Sequence, residues 1–324
     1  MTGGPEGTPP AKGDVTPPHA PEGGWARRLL GPFHVTGIFW YRFPHFGMRY
    51  VLGPWLFPPA VVLFTTGFFC FLVRIRRAIA ANLEPVLGPC GRLERLRRAY
   101  RTLWEFAWCY GERYQHIDFP ERFAVEVETD PGSQEVLDTG QGVVFVTAHV
   151  GTWEMASHLV STGLKRHVHV VREQELNPAA QEFMKGLLEG IGDPLTSFHF
   201  ASDDPRLGMI LMDALRRGEA VALQGDRPRA GGKSLAATLF GRPMSLPLGP
   251  ATLARSARAW IIPTFAFRTG RQHYRVVVRT PFKVAHTDNR TRDVEEATRR
   301  IAREVEWAII QKPHQWFCFR KLWV

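Results

Sequence analysis

The chain has 324 residues, 44% of them hydrophobic and 12% aromatic, which is ample for a sizeable core and excludes wholesale disorder. Its formal net charge is +10, so its partners are expected to be anionic. Four scattered cysteines (Cys70, Cys90, Cys109 and Cys318) form no CxxC pair, which argues against a disulfide scaffold or a zinc ribbon. No segment recurs at a fixed period, which removes solenoids and propellers.

Residues 1–24 contain six glycines and six prolines with almost nothing apolar, and are expected to form a disordered tail. Residues 25–118 are expected to form a membrane-associating helical region. Within it, Val51 to Val73 is a run of 23 residues without a charge. Pro54, Pro58 and Pro59 interrupt its first third, leaving Ala60 to Val73 as clean helix. Two membrane arrangements fit this apolar anchor, a kinked span or a helix lying in the interface, and a buried hairpin of a soluble core is the third. Eight arginines against two glutamates between Arg74 and Arg101 follow directly, and basic charge beside an apolar segment suits an anionic lipid surface. Gly91 to Tyr114 repeats its apolar residues at helical spacing.

After Pro120 the periodicity changes, and residues 119–324 read as an α/β domain. Phe123 to Glu128 alternates as a strand, Pro131-Gly132 is taken as a break, and Gln134 to Asp138 suits a short helix. Val143 to Thr147 (VVFVT) is an apolar run of buried parallel-strand type. Further strands are expected at His167 to Val171, Ala220 to Leu223, Trp260 to Phe267 and Tyr274 to Val278. Helices are expected at Glu154 to Leu164, Pro178 to Ile191, Arg206 to Arg217, Gly249 to Ala257 and Val294 to Gln311. Strands alternating with helices predict a mainly parallel central sheet flanked by helices.

The sharpest candidate site is TAHVGTWE, Thr147 to Glu154. A buried strand ends there, and ligands bind at the carboxyl ends of strands in open α/β sheets. Glu154 stands five residues after His149, across the turn into a helix, so its carboxylate can fold back on the imidazole and support it as a general base. On spacing alone the pair also reads as a strand-end His and a Glu in the first turn of a helix, where the dipole favours it. Other chemistries fit less well. No Ser stands in a GxSxG elbow, and the Gly232-Lys233-Ser234 end of a phosphate loop has Arg227 where its first glycine belongs. His167 and His169 share a strand face without an evident third ligand, so no metal is expected.

These residues resemble the bacterial lipid A late acyltransferases, which carry a His-x4-Asp/Glu motif, here His149 to Glu154. The likeness extends through RRAIAANLEPVLG (Arg76 to Gly88), VVREQELNP (Val170 to Pro178), LQGDRPRAGG (Leu223 to Gly232), TLFGRPMSLPLGPATLARSARAWIIPTF (Thr238 to Phe265) and the closing QWFCFRKLW, about Phe46 to Val324. Ala148 departs from the Asn often found there, and the tail is extra. The resemblance implies an O-acyltransferase that moves a fatty acyl group from acyl carrier protein or coenzyme A to a hydroxyl of a lipid A-like or other membrane glycolipid. His149 takes the proton, Glu154 holds His149, and Arg172 faces the oxyanion, a phosphate or surface ion-pair contact being its other reading; Thr152 binds substrate, and Asp226 and Arg227 position the acceptor or form an ion pair that stiffens their loop. It further implies membrane lipids and acyl carrier protein as partners, no nucleic acid, no cofactor beyond the thioester, and the cytoplasmic face of the inner membrane. The competing reading is a peripheral lipid-binding protein that has lost turnover.

Overall fold

The fold is that of a computed structural model, which describes residues 37–51, 53, 55–152, 165–190, 193–201, 206–229 and 231–323. The expected tail and the helix expected at Glu154 to Leu164 lie outside these residues.

Among the described residues four helices come first: α1 (Phe39–Phe46), continued by a π-helical turn at Gly47–Val51, then α2 (Phe57–Phe71), α3 (Val73–Leu87) and α4 (Arg92–Asp118). Helix α2 begins three residues earlier than expected because Pro58 and Pro59 occupy its first turn, where a missing N–H costs no hydrogen bond. The apolar helical anchor is not supported by a single spanning helix. Among the described residues no single helix is long and apolar enough to cross a membrane; α2 and α3 reach the required length only together, and they are bent by 93°. At 15 residues, α2 is about 22 Å long, short of a hydrocarbon core.

The α/β portion runs β1 (Ala124–Thr129), α5 (Pro131–Asp138), β2 (Val143–Thr147), β3 (Val168–Glu173), α6 (Pro178–Glu189), β4 (Thr196–Ala201), α7 (Leu207–Arg216) and β5 (Ala220–Gln224). It continues with β6 (Ser234–Leu239), β7 (Arg242–Pro247), α8 (Gly249–Ala257), β8 (Trp260–Gly270), β9 (His273–Val278), β10 (Phe282–Lys283) and α9 (Arg290–Gln311). Pro131-Gly132 starts α5 instead of breaking the chain: Pro131 takes the first turn and Asp130 caps it by accepting from the Gly132 N–H at 3.0 Å.

The main sheet has the order β1-β9-β8-β2-β5-β3-β4, with β10 beside the start of β8. Strands β8, β2, β5, β3 and β4 are mutually parallel, and β9 turns back against β8. Every residue of β2 is buried, because it lies mid-sheet with both faces covered. Val144 and Val146 face one core with residues of α7, α8 and α9, whereas Val143 and Phe145 face the other with Val136 and Leu137 of α5.

Among the described residues, four strands are not foreseen by the sequence pattern. β4 is a half-exposed edge strand of mixed polar and aromatic residues, β10 has only two residues, and β6 and β7 form a separate hairpin. The hairpin turns at Phe240 (φ 50°) and Gly241 (φ 69°), a left-handed pair without the usual Asn-Gly signal.

Helix α4 is tied to the sheet by a buried charge. Glu112 has no exposed surface, and accepts from Arg268 Nε at 3.0 Å, the Gln272 N–H at 2.9 Å and the Tyr274 hydroxyl. Removing the cation leaves a carboxylate in the interior. Arg268→Met should therefore lower the unfolding free energy by about 3–5 kcal/mol in denaturant titration. Arg216→Met, at an exposed pair with Asp213, should change it by less than about 1 kcal/mol.

Candidate active site

Strand order, not sequence distance, builds the site. β2 and β5 lie side by side with Thr147 opposite Gln224, and the Gly225 N–H donates to the Thr147 carbonyl at 2.8 Å. Both strands end together, which puts His149 and Asp226 in contact: His149 Nδ1 is 2.7 Å from Asp226 Oδ1. The Asp226 side chain is fully buried, and its other oxygen accepts from Trp316 Nε1 at 3.2 Å. Among the described residues, nothing hydrogen-bonds His149 Nε2. With an ionised carboxylate on one ring nitrogen, that nitrogen carries the proton and Nε2 presents a lone pair.

The loop after β2 is held from two sides. The chain's closing segment lies against it, with Phe317 N–H donating to the His149 carbonyl at 2.8 Å and Gly151 N–H to the Gln315 carbonyl at 2.9 Å. On the other side Gly151 bridges to Ala266 of β8. Gly151 adopts φ +59°, and a Cβ there would lie 2.0 Å from the Ala266 carbonyl oxygen, so only glycine fits.

The electrostatics favour a neutral base beside an ionised carboxylate. Burial, then the neighbouring Arg227 guanidinium, push the His149 imidazole below its ordinary value, against the upward pull of Asp226. Burial alone would raise the Asp226 carboxyl; the His149 imidazole, Arg227 and the Trp316 N–H outweigh it and hold the group well below the usual carboxylate range.

The remaining residues fall around this pair. Arg172, buried at the end of β3, has its Nη2 3.8 Å from Glu175, and Glu175 accepts from the Tyr41 hydroxyl at 2.6 Å. Arg227 reaches the Phe317 carbonyl at 3.4 Å. Thr152 is buried, and its hydroxyl oxygen has no hydrogen-bond partner among the described residues. Glu154 lies outside the described residues. Asp226, expected to position the acceptor, is instead the carboxylate seen on His149. Its adjacency was invisible in the sequence because β3 and β4 intervene between the two strands. Trp316 and Gln315 were noticed only as part of a closing motif.

Elsewhere, His169 at the start of β3 sits between His199 Nε2 (2.9 Å) and Glu219 Oε2 (2.7 Å). The sequence pair His167 and His169 thus gains a third imidazole from β4, at the sheet end opposite His149. A cavity of about 300 Å³ lies between α1, α2 and α4, walled by Trp40, Phe43, Phe64, Phe68, Phe106 and Phe319. The Phe106 ring is 5.3 Å from that of Phe317, whose amide holds the His149 loop.

A family model described as bacterial lipid A biosynthesis acyltransferase matches residues 57–324. The chain belongs to that family. It is therefore a lipid acyltransferase, and the match takes in α2 through the closing segment. No curated protein sequence matches the chain. Among solved structures it is similar to the 1-acyl-sn-glycerophosphate (LPA) acyltransferase PlsC from Thermotoga maritima, with 12% identity, a TM-score of 0.37, and coverage of 79% of this chain and 98% of that one.

The charges around His149 make its titration a direct check. Followed by NMR, its midpoint should lie below 6.5. Arg227→Gln removes a cation that disfavours imidazolium and should move the midpoint up; Asp226→Asn removes its anion and should move it down.

Proposed function

We propose that the chain transfers a fatty acyl group from a thioester, borne by acyl carrier protein or coenzyme A, to a hydroxyl of a lipid A-like or related membrane glycolipid. The observation that carries this reading is His149, with Nδ1 held by a buried ionised Asp226 and Nε2 without a hydrogen-bond partner among the described residues. In the reaction, Nε2 takes the proton of the acceptor hydroxyl as its oxygen attacks the thioester carbonyl. The resulting oxyanion collapses and the thiolate leaves, taking the proton from the imidazolium. Ester and thiol are the products, and the imidazole is neutral again.

Thr152 supports the reading. A buried hydroxyl without a partner costs about 1–3 kcal/mol, a cost that a substrate contact removes. With Arg172, it is assigned to the oxyanion or the donor carbonyl. Arg227, half-buried beside the dyad, is assigned to the acceptor headgroup. The aromatic cavity next to Phe317 is of a size and polarity that suit an acyl chain. Asp226 takes the task of holding the imidazole, which the His-x4-Glu motif assigns to Glu154.

The surface of the first helices suits the cytoplasmic face of an anionic inner membrane. Trp55, Leu63 and Phe71 are 88%, 71% and 85% exposed, with Arg49, Arg74, Arg76 and Arg77 nearby in sequence. An apolar helix of this length beside basic residues lies in the interface.

The test combines lipid mass spectrometry of cells with and without the gene, seeking one species that differs by one acyl chain, with purified enzyme and both thioester donors. His149→Ala should lower transfer by about 10²–10⁴-fold with the fold intact. A rate near wild type refutes the mechanism. Thr152→Val keeps the shape and removes the orphaned hydroxyl, so transfer should fall about tenfold or more while stability holds or rises. Trp55→Glu with Phe71→Glu should release the protein from anionic vesicles; retention at high salt would place the attachment elsewhere.

A further inference from the structure

We infer that Trp316 is a positioning residue for catalysis, acting through Asp226; the inference rests on the His149–Asp226 reading above. Trp316 is 2% exposed, and its indole Nε1 donates to Asp226 Oδ2 at 3.2 Å. A carboxylate rotates readily unless both oxygens are engaged. With Oδ2 fixed by the indole, Oδ1 stays on His149 Nδ1 at 2.7 Å. The adjoining residue acts on the other member of the pair: the Phe317 N–H donates to the His149 carbonyl at 2.8 Å, and Trp316 forms an antiparallel bridge with Val150. Two consecutive residues near the chain's end thus hold both partners of the dyad, one through a side chain and one through the backbone.

The segment has the rigidity this task needs. Gln315 accepts from the Arg268 N–H at 2.9 Å and donates to the Arg268 carbonyl at 2.7 Å, which fixes the segment to β8. Past Phe317, Asn82 of α3 donates to the carbonyls of Cys318 and Arg320 and accepts from Leu322 N–H. Trp316 acts through Asp226 and not on the reacting atoms. It governs where the proton acceptor points and keeps a fully buried anion supplied with a donor.

The experiment separates the hydrogen bond from the packing. Trp316→Phe removes the donor and part of the ring; site-specific replacement of Trp316 by 3-benzothienylalanine keeps the shape of indole and substitutes sulfur for the N–H. Both should lower kcat by about tenfold or more, the range for losing a hydrogen bond to a charged group, with KM within about twofold and, for the isostere, an unchanged Tm. In the Asp226→Asn background, Trp316→Phe should cause no further loss, because the indole acts only through that carboxylate. Wild-type kcat in the isostere overturns the inference, as does an additive loss in the double variant. If Asp226→Asn is itself inactive while the isostere is fully active, the inference fails and the dyad stands; a fully active Asp226→Asn removes both.

Discussion

A carboxylate taken wholly out of water is the constraint from which the rest of the site follows. Left alone, Asp226 would take up a proton, and a neutral acid would neither fix the imidazole tautomer nor stabilise an imidazolium. It is kept ionised by a ring nitrogen, an indole N–H and the charge of Arg227, contributed by the end of β2, the closing segment and the turn after β5. No single stretch of chain supplies this set. The electrostatics of the site exist only when the sheet is paired in its final order and the last residues have closed over it.

A second buried carboxylate follows the same logic at a distance. Glu112 anchors α4 to the β8–β9 hairpin through Arg268, whose guanidinium also lies 4.6 Å above the Trp108 ring. The two networks meet at Gln315. Its side chain bonds the backbone of Arg268 and reaches Glu105 at 3.2 Å, while its carbonyl accepts from Gly151 in the His149 loop. A side-chain amide suits this junction because it offers donor and acceptor at once, and so matches both groups of one strand residue.

Much of this was readable along the chain, and what was not has a physical reason. VVFVT announced a central buried strand, since only a strand covered on both faces tolerates five consecutive buried residues of that kind. His149 was readable from its place after that strand. Asp226 was visible as a strand-end carboxylate but not as the partner of His149, because that contact depends on β5 inserting between β2 and β3. The β6–β7 hairpin was hidden because its turn forces a phenylalanine to positive φ, a conformation set by packing and not by local preference. The place of the bend was hidden for a related reason: an uncharged run states how much apolar surface there is, but not where the helix axis turns.

The turn at Leu72 has an identifiable cause. Leu72 leaves helical geometry (ψ 61°), so the last carbonyls of α2 lose their next-turn helical donors. Arg76, one turn into α3, supplies the missing donor: its Nη1 bonds the Phe69 carbonyl at 2.9 Å while its guanidinium lies 4.9 Å over the Phe69 ring. The same residue therefore caps α2 from the first turns of a basic helix that runs in a new direction. From there α3 buries Ile79, Asn82 and Leu83. Asn82 spends both N–H donors and one acceptor position of its amide on the closing segment, and Trp323 Nε1 adds a bond to the Ala81 carbonyl. Had α2 and α3 formed one straight helix, the apolar surface of α2 and the Asn82 clasp would lie along one axis. The bend lets the first face outward while the second grips the segment that steadies Asp226 and His149.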